Sequence, residues 1–445
     1  MAASVFDSAH LARLFPAGDA GRLFTDGAEL RAMLLVEGML AKAQGALGLI
    51  PAESAGAIHR AAMEIHLDPG ALAEATGSNG VSVPALVAAF RTEMQAPEHA
   101  QYVHWGATSQ DIIDTGLMLR LRQAVSVLER DLGAILEILA GLAVTHAELP
   151  MAGRSYGQHG TPTSFGAVVA AWGAPLLDLL RELPGLRRDC LLVSLSGAAG
   201  TGAALGPEAA RLRGDLAQLL NLADPGRSWH TDRTPVLRLA DWCTRIALAL
   251  GKLGEDAIEL TQTGIAEITL GGGGASSTMP QKQNPVGPSA LVALSRQVPG
   301  LLTVLHGAGV HRYQRDGAAW FTEWMCLPQI VLGAASSVQI TQRLLPGLAP
   351  RPDTMAATLD MGFGTIYAEA VSFALAAHLP RPEAQAAVKA LCAESMESRV
   401  PLRDLIARDW PQLDAVALTD PARQLGAAPD EARAFAARVR SQAVT

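Results

Sequence analysis

The sequence predicts an all-α fold organised round a bundle of long helices, and three observations carry that prediction. Aromatic residues make up only 4% of the chain, so the enrichment in aromatic and β-branched residues that sheets favour is missing. Ala, Leu and Gly prevail instead, and hydrophobic residues reach 49% of 445, enough to fill the cores of roughly three domains. Apolar residues also recur by threes and fours over five long stretches, the period of one helix face.

Residues 1–98 read as a first domain of short helices, including 28–47 and a piece over 85–92 opened by Pro84 after TGSNG. From 112 to 146, Leu121, Val125, Leu128, Leu132, Ile135, Leu139 and Leu142 line one face. At 1.5 Å per residue this helix is roughly 50 Å long, more than a small domain can bury alone. Similar stretches follow at 164–183, 236–268, 286–306 and 323–344; in the second of these, Leu239, Trp242, Ile246, Ala249, Leu253, Ala257 and Leu260 again step by threes and fours. These five helices define a central domain, 99–345. Stripes on more than one face predict bundles packed against one another in an oligomer, since a monomer would leave too much apolar surface wet. The segment LLPGLAPRPD marks a linker, and 346–445 reads as a small C-terminal helical domain.

A formal net charge of −8 argues against a nucleic-acid partner. Cys190, Cys243, Cys326 and Cys392 lie far apart without paired spacing, which argues against a disulfide framework and a zinc site. No histidines fall at metal-ligand spacing with carboxylates, so neither a metal nor another cofactor is expected. No signal-peptide layout or uninterrupted apolar run near 20 residues occurs, so the expectation is a cytoplasmic protein with no membrane partner.

Chemistry concentrates in 271–288, GGGGASSTMPQKQNPVGP. Gly271 to Gly274 supply backbone freedom and no packing, which suits movement or close approach to a ligand. Asn284 followed by Pro285 predicts a helix start with Asn as N-cap and Pro in the first position. Ser276, Ser277, Lys282 and the free amides of that helix end can converge on one anion. The alternative is a solvated linker; a phosphate loop is disfavoured because no Lys-Ser or Lys-Thr follows the glycines at the required spacing.

Two further segments interrupt the long helices: HWGATSQDIIDT (104–115) and GRSYGQHGTPTSFG (153–166). With the glycine-rich loop they resemble the three signature regions of the fumarase/aspartase superfamily. SSTMPQKQNP (276–285) matches the superfamily pattern Ser-Ser-x-Met-Pro-x-Lys-x-Asn-Pro at every fixed position. The resemblance covers nearly the whole chain. It implies an all-helical three-domain subunit with a central five-helix bundle, and a homotetramer with a twenty-helix core whose active sites each draw on three subunits. It also implies a small di- or tricarboxylate substrate whose α proton moves through an enolate-like dianion. Ser276 then matches the proton-transfer group, while Thr108, Ser109, Gln110 and Asp111 match a substrate-binding loop. Thr108 and Ser109 could equally cap the following helix, and both roles can coexist.

Departures narrow the resemblance. Fumarate-type lyases usually carry Thr-His-x-Gln in the second region with a Glu seven residues after the loop lysine; here Tyr156 and Ser289 stand at the paired positions. Gln158-His159-Gly160-Thr161-Pro162 instead resembles the segment of 3-carboxy-cis,cis-muconate cycloisomerases, as do HWGATSQD, GAAGT (197–201) and RDGAAWFTEW (315–324). SNGVSVPAL (78–86) replaces the Arg-His-Asp run that adenylosuccinate lyases use for a nucleotide. Cycloisomerases commonly show basic residues where this chain has Gln281 and Gln283, and His-Glu-Arg where it has Tyr313-Gln314-Arg315.

The resemblance therefore implies a lactonising cycloisomerase of aromatic-acid catabolism. Ser276 is expected to transfer the proton with His159 as rival or helper. Lys282, Asn284, Ser277, Thr108, Ser109, Gln158, His104 and Arg315 are expected to bind substrate. His230, His306, His311 and His378 are read as structural. The alternatives are a lyase releasing fumarate or a relative from another substituted succinate, and a catalytically idle structural protein on the same scaffold.

Overall fold

The computed structural model describes residues 4–271, 274, 275, 279 and 282–442. The protein is mostly helical, and each of the five long stretches is a helix: Ser109–Thr145, Phe165–Cys190, Thr234–Leu260, Val286–Gly307 and Gly317–Leu344. The predicted stripe of the first is buried from Leu121 to Leu139, with Leu142 half-buried. The third helix stops at Leu260, short of the expected 268. Thr261 turns its hydroxyl back to the Ala257 carbonyl at 2.7 Å, and Gly264 (φ 95°) and Ala266 (φ 47°) leave helical space. The fifth begins earlier than expected because Asp316 accepts from the backbone N–H of Ala318 at 3.0 Å, capping a start at Gly317.

Contacts divide the chain into two compact units. The first comprises Met1–Asp131, Leu179–Leu248 and Ala293–Ile340; the second Leu132–Asp178, Ala249–Val292 and Thr341–Thr445. In the first unit, helix Asp26–Ala46 starts on Thr25, whose hydroxyl accepts from the Ala28 N–H at 3.3 Å. It lies tightly on Ala52–Glu64: a Cβ on Gly38 would come within 2.6 Å of the Ala62 methyl, and one on Gly45 within 2.3 Å of the Ala55 methyl. Glycine seven residues apart thus lets two backbones approach. As expected, Pro84 lies in the opening turn of a helix, Val83–Glu93. Met33, Leu34, Leu40, Ile58, Leu86, Phe90, Ile112, Val193, Leu212 and Trp320 fill this unit's core.

The second unit departs from the all-α expectation. Residues 153–166, expected as loop, contain an antiparallel hairpin of Pro150–Ser155 with Gln158–Ser164. Its turn is Tyr156–Gly157, both at positive φ (52° and 71°), as a type I′ hairpin turn requires. Two-residue strands also pair Ile268–Thr269 with Ala349–Pro350 and Gly274–Ala275 with Gln283–Asn284. The C-terminal helices Ala368–Leu375, Arg381–Ser398 and Leu402–Asp409 share a core of Val371, Leu375, Val388, Leu391, Leu402 and Ile406. No helix of the described residues is long and apolar enough to cross a membrane.

Candidate active site

The first unit builds its site from the start of helix Ser109–Thr145. Asp111, fully buried, reaches back to accept from the Thr108 N–H at 3.0 Å, the return half of a capping box. The same carboxylate accepts from the N–H groups of Ser196 (2.8 Å) and Gly197 (2.9 Å) and from the Ser194 hydroxyl (3.2 Å), and meets His230 Nε2 at 2.9 Å. Five partners on one buried carboxylate fasten residues 194–197, which lead into GAAGT, to the helix end. Thr115 reinforces the join, accepting from Ser194 N–H at 2.8 Å and donating to its carbonyl at 3.0 Å. His230 Nε2 lies 3.1 Å from the Ser194 hydroxyl as well, so the imidazole is part of this hub.

This hub orients Thr108 and Gln110 toward Arg315. Gln110 donates to the His230 carbonyl at 2.9 Å, which leaves its Oε1 to accept from Arg315 Nε at 3.0 Å. Arg315 Nη2 donates to the Thr108 hydroxyl at 3.0 Å and to the Ala198 carbonyl at 3.4 Å. Arg315 is held in turn by its neighbour: Asp316 anchors the adjacent helix and pairs with Arg312 at 2.6 Å, which holds the Asp316 carboxyl well below the usual range. Thr108 thus stands at the helix start with its N–H bonded by Asp111, while its hydroxyl accepts from Arg315. Ser109, half-buried, has no side-chain partner among the described residues. Behind this layer lies fully buried Arg233, forked onto Asp114 (2.9 and 3.0 Å) and Glu323 (2.9 and 2.7 Å), with its guanidinium 4.8 Å from the Trp229 ring. Burial pushes the Glu323 carboxyl up against the pull of Arg233. Asp114 and Glu323 lie within the segments 104–115 and 315–324 singled out by sequence, but neither Arg233 nor Glu37, which meets His104 Nδ1 at 2.7 Å, was signalled by any motif.

The second unit carries the other expected residues. Gln158 and His159 lie exposed on the second hairpin strand, with no side-chain partner among the described residues. Opposite His159, Arg154 makes a bidentate pair with buried Glu267 at 2.8 and 2.9 Å, joining the hairpin to the residues just before the glycine-rich loop. That loop's entry is tight: a Cβ on Gly271 would stand 2.7 Å from the Gly347 Cα. Lys282 is exposed. Asn284 is not the N-cap expected of it: it pairs with Gly274, and the helix starts at Val286, with the Pro285 carbonyl accepting the first turn's bond from Ser289 N–H at 3.0 Å. Ser276 and Ser277 lie outside the described residues. The structure thus brings Thr108, Ser109 and Arg315 together in one unit, with His104 four residues before Thr108. Gln158, His159, Lys282 and Asn284 belong to the other.

No group of three or more His, Cys, Asp or Glu among the described residues could hold a metal ion. The four cysteines are free, and burial pushes the thiols of Cys190 and Cys243 up to about 11 and about 12. These thiols are not nucleophiles near neutrality. In the first unit what remains is a cluster of hydroxyls and one guanidinium, Thr108, Ser109 and Arg315.

The class of protein follows from comparison with known proteins. Residues 19–300 match the family described as Lyase. The 3-carboxy-cis,cis-muconate cycloisomerase of Pseudomonas aeruginosa is 37% identical over 437 residues, covering 95% of this chain and 94% of its own. The nitrosuccinate lyase of Streptomyces davaonensis is 35% identical over 96% of this chain and 94% of its own. The crystal structure of 3-carboxy-cis,cis-muconate lactonizing enzyme from Pseudomonas putida superposes with a TM-score of 0.90 at 34% identity, covering 98% of this chain and 99% of that one. The chain belongs to this lyase family and is an enzyme of the fumarase/aspartase superfamily.

Proposed function

We propose that the protein is a 3-carboxy-cis,cis-muconate cycloisomerase. The observation that carries this reading is near-complete coverage at 37% identity with a protein of that activity, joined to the TM-score of 0.90 with a lactonizing enzyme. In the reaction, an oxygen of one substrate carboxylate adds across a conjugated double bond, forming the C–O bond of a γ-lactone. The electron pair moves onto the carbon α to another carboxylate, and a proton is delivered there.

The transient species carries extra negative charge beside an existing carboxylate, and well-placed donors to such charge are worth about 10² to 10³ in rate each. Arg315, Thr108, Ser109 and His104 bind carboxylate oxygens on one side. Lys282, Asn284, Ser277 and Gln158 do so on the other. Ser276 transfers the proton, with His159 as its partner or alternative. A homotetramer supplies these two sets from different subunits. Val144, Leu248, Val304 and Met325, exposed on the long helices, are the apolar surface such an assembly covers. The three-domain division at 98 and 345 and a cytoplasmic location belong to the same reading.

The test is direct. Adding 3-carboxy-cis,cis-muconate should abolish the ultraviolet absorbance of the diene and yield a lactone identifiable by proton NMR. An unchanged spectrum at micromolar enzyme sinks the proposal. One observation favours a second reading, elimination from a substituted succinate: the nitrosuccinate lyase relative matches nearly as well, and Gln281 and Gln283 remove positive charge from beside Lys282. Release of fumarate and nitrite from nitrosuccinate would select it.

A further inference from the structure

Helix Asp26–Ala46 buries two polar side chains, Glu37 and Gln44, each 1% exposed. Seven residues is close to two turns, so they share a face. Both are committed to the same short segment. Gln44 Nε2 donates to the Trp105 carbonyl at 2.7 Å, and Glu37 Oε1 meets His104 Nδ1 at 2.7 Å.

That segment adopts a costly backbone. His104 sits at φ 64° and Gly106 at φ 74°, where a Cβ would come within 2.4 Å of Leu205 Cδ2. A left-handed conformation costs a residue with a side chain about 1–2 kcal/mol. The Glu37 side chain is 0% exposed and that of His104 20%, so the carboxylate is sealed off while the imidazole reaches the surface at one edge. Glu37 Oε2 is buried with no partner among the described residues. A buried carboxylate with one satisfied oxygen is a poor stabiliser, and an apolar residue would fill the same space at less cost. Fold stability therefore does not account for Glu37.

We propose that Glu37 is a positioning residue of the active site, holding His104 by Nδ1 as an imidazolium whose Nε2–H is offered to a substrate carboxylate. This rests on the polycarboxylate chemistry proposed above and adds to it a cation that the net charge of the chain conceals. With Nδ1–H donated to Glu37, the ring presents a donor at Nε2 only while it is doubly protonated. Three charged groups on three elements act on it. Burial pulls the imidazole pKa down, but the hydrogen bond and charge of Glu37 outweigh it; Asp111 at the start of the long helix adds, and Arg91 on helix Val83–Glu93 opposes. The outcome is a histidine raised above its ordinary value.

Glu37→Gln keeps the shape and an acceptor oxygen while removing the charge. In the free enzyme, with histidines isotopically labelled and His104 assigned through His104→Gln, the NMR titration midpoint of His104 should fall in Glu37→Gln. The alkaline limb of the kcat/KM profile for 3-carboxy-cis,cis-muconate should move to lower pH, with a loss of about tenfold at pH 8. An unmoved His104 midpoint, or a loss uniform across pH, overturns the proposal. If Glu37→Gln fails to fold, the unaltered protein decides: a His104 midpoint above about 6.5 supports the pair and one at or below it overturns it. The titration needs no substrate, so a shifted midpoint without lactone formation would discard the cycloisomerase reading and leave this one standing.

Discussion

Two polar regions of this molecule meet water in opposite ways. Round Asp111, polar groups are buried or half-buried and knit together: Thr108, Ser194, Ser196, Gly197 and His230 converge on one carboxylate, and Gln110 joins the His230 carbonyl to Arg315. On the hairpin, Gln158 and His159 are exposed and bonded to nothing among the described residues. A buried polar group is expensive unless satisfied, so the first region has to be complete within the subunit. An exposed one costs nothing while it waits. The comparison separates a platform whose geometry is set by folding from a set of exposed side chains with no partner among the described residues.

Breaking the platform should have the largest effect. Asp111→Ala strands the backbone N–H groups of Ser196 and Gly197 in the segment 194–197, that of Thr108, and the ring of buried His230. An orphaned buried donor costs about 1–3 kcal/mol, so a loss of at least about 4 kcal/mol is expected in urea unfolding. Asp111→Asn, which keeps one acceptor, should lose about half as much. A loss below 1 kcal/mol for Asp111→Ala would show that the segment holds its course without the carboxylate.

The exposed set should behave the other way, with large kinetic and negligible thermodynamic effects. Lys282→Ala should lower kcat by about 10² to 10³. His159→Gln should lower it by about 10². Both should leave stability within about 0.5 kcal/mol, since neither side chain has a partner among the described residues. If His159→Gln were to destabilise the subunit instead, the histidine would belong to the platform and the contrast would collapse.

A gentler probe is pH. His104 is raised above its ordinary value by Glu37, so its folded form binds the proton more tightly than the unfolded chain. The resulting stability is fully present below about pH 6.5 and is lost as pH rises through the folded value. Unfolding free energy measured from pH 6 upward should therefore decline in the unaltered protein, and the part of that decline absent from Glu37→Gln is the pair's contribution. Identical pH dependence in the two proteins would detach His104 from Glu37.

The sequence made the platform's frame readable because long helices advertise themselves by period: the stripe from Leu121 to Leu139 is buried as read. The end of the third helix was misread because Ile268 fits the apolar period, while the chain leaves helical space at Gly264 and Ala266. Period counts side chains and is blind to the backbone. The hairpin escaped for a related reason: GRSYGQHGTPTS has no apolar alternation, since Gln158 to Thr161 are exposed, and its turn places a tyrosine where Asn or Gly is the usual signal. Arg315 and Thr108 are 207 residues apart in sequence, so only family resemblance could pair them. Glu37 was legible in principle, as a single acid inside the apolar run LLVEGML, but one charge in a helix is ordinarily read as its solvent face.

The smallest expected effect tests the hairpin alone. Tyr156 occupies the first central position of its turn at φ 52° with a fully exposed ring, so it bears the cost of left-handed backbone without compensating burial. Tyr156→Asn should stabilise the protein by about 0.5–1 kcal/mol, because asparagine tolerates that conformation and Asn-Gly is the favoured pair for such turns. The register Ser155 to Gln158 would be kept, so kcat should stay within a factor of two if the tyrosine serves only the turn. A stabilised variant with kcat reduced tenfold or more would instead place the Tyr156 ring against substrate, at the position where fumarate-type lyases carry their histidine.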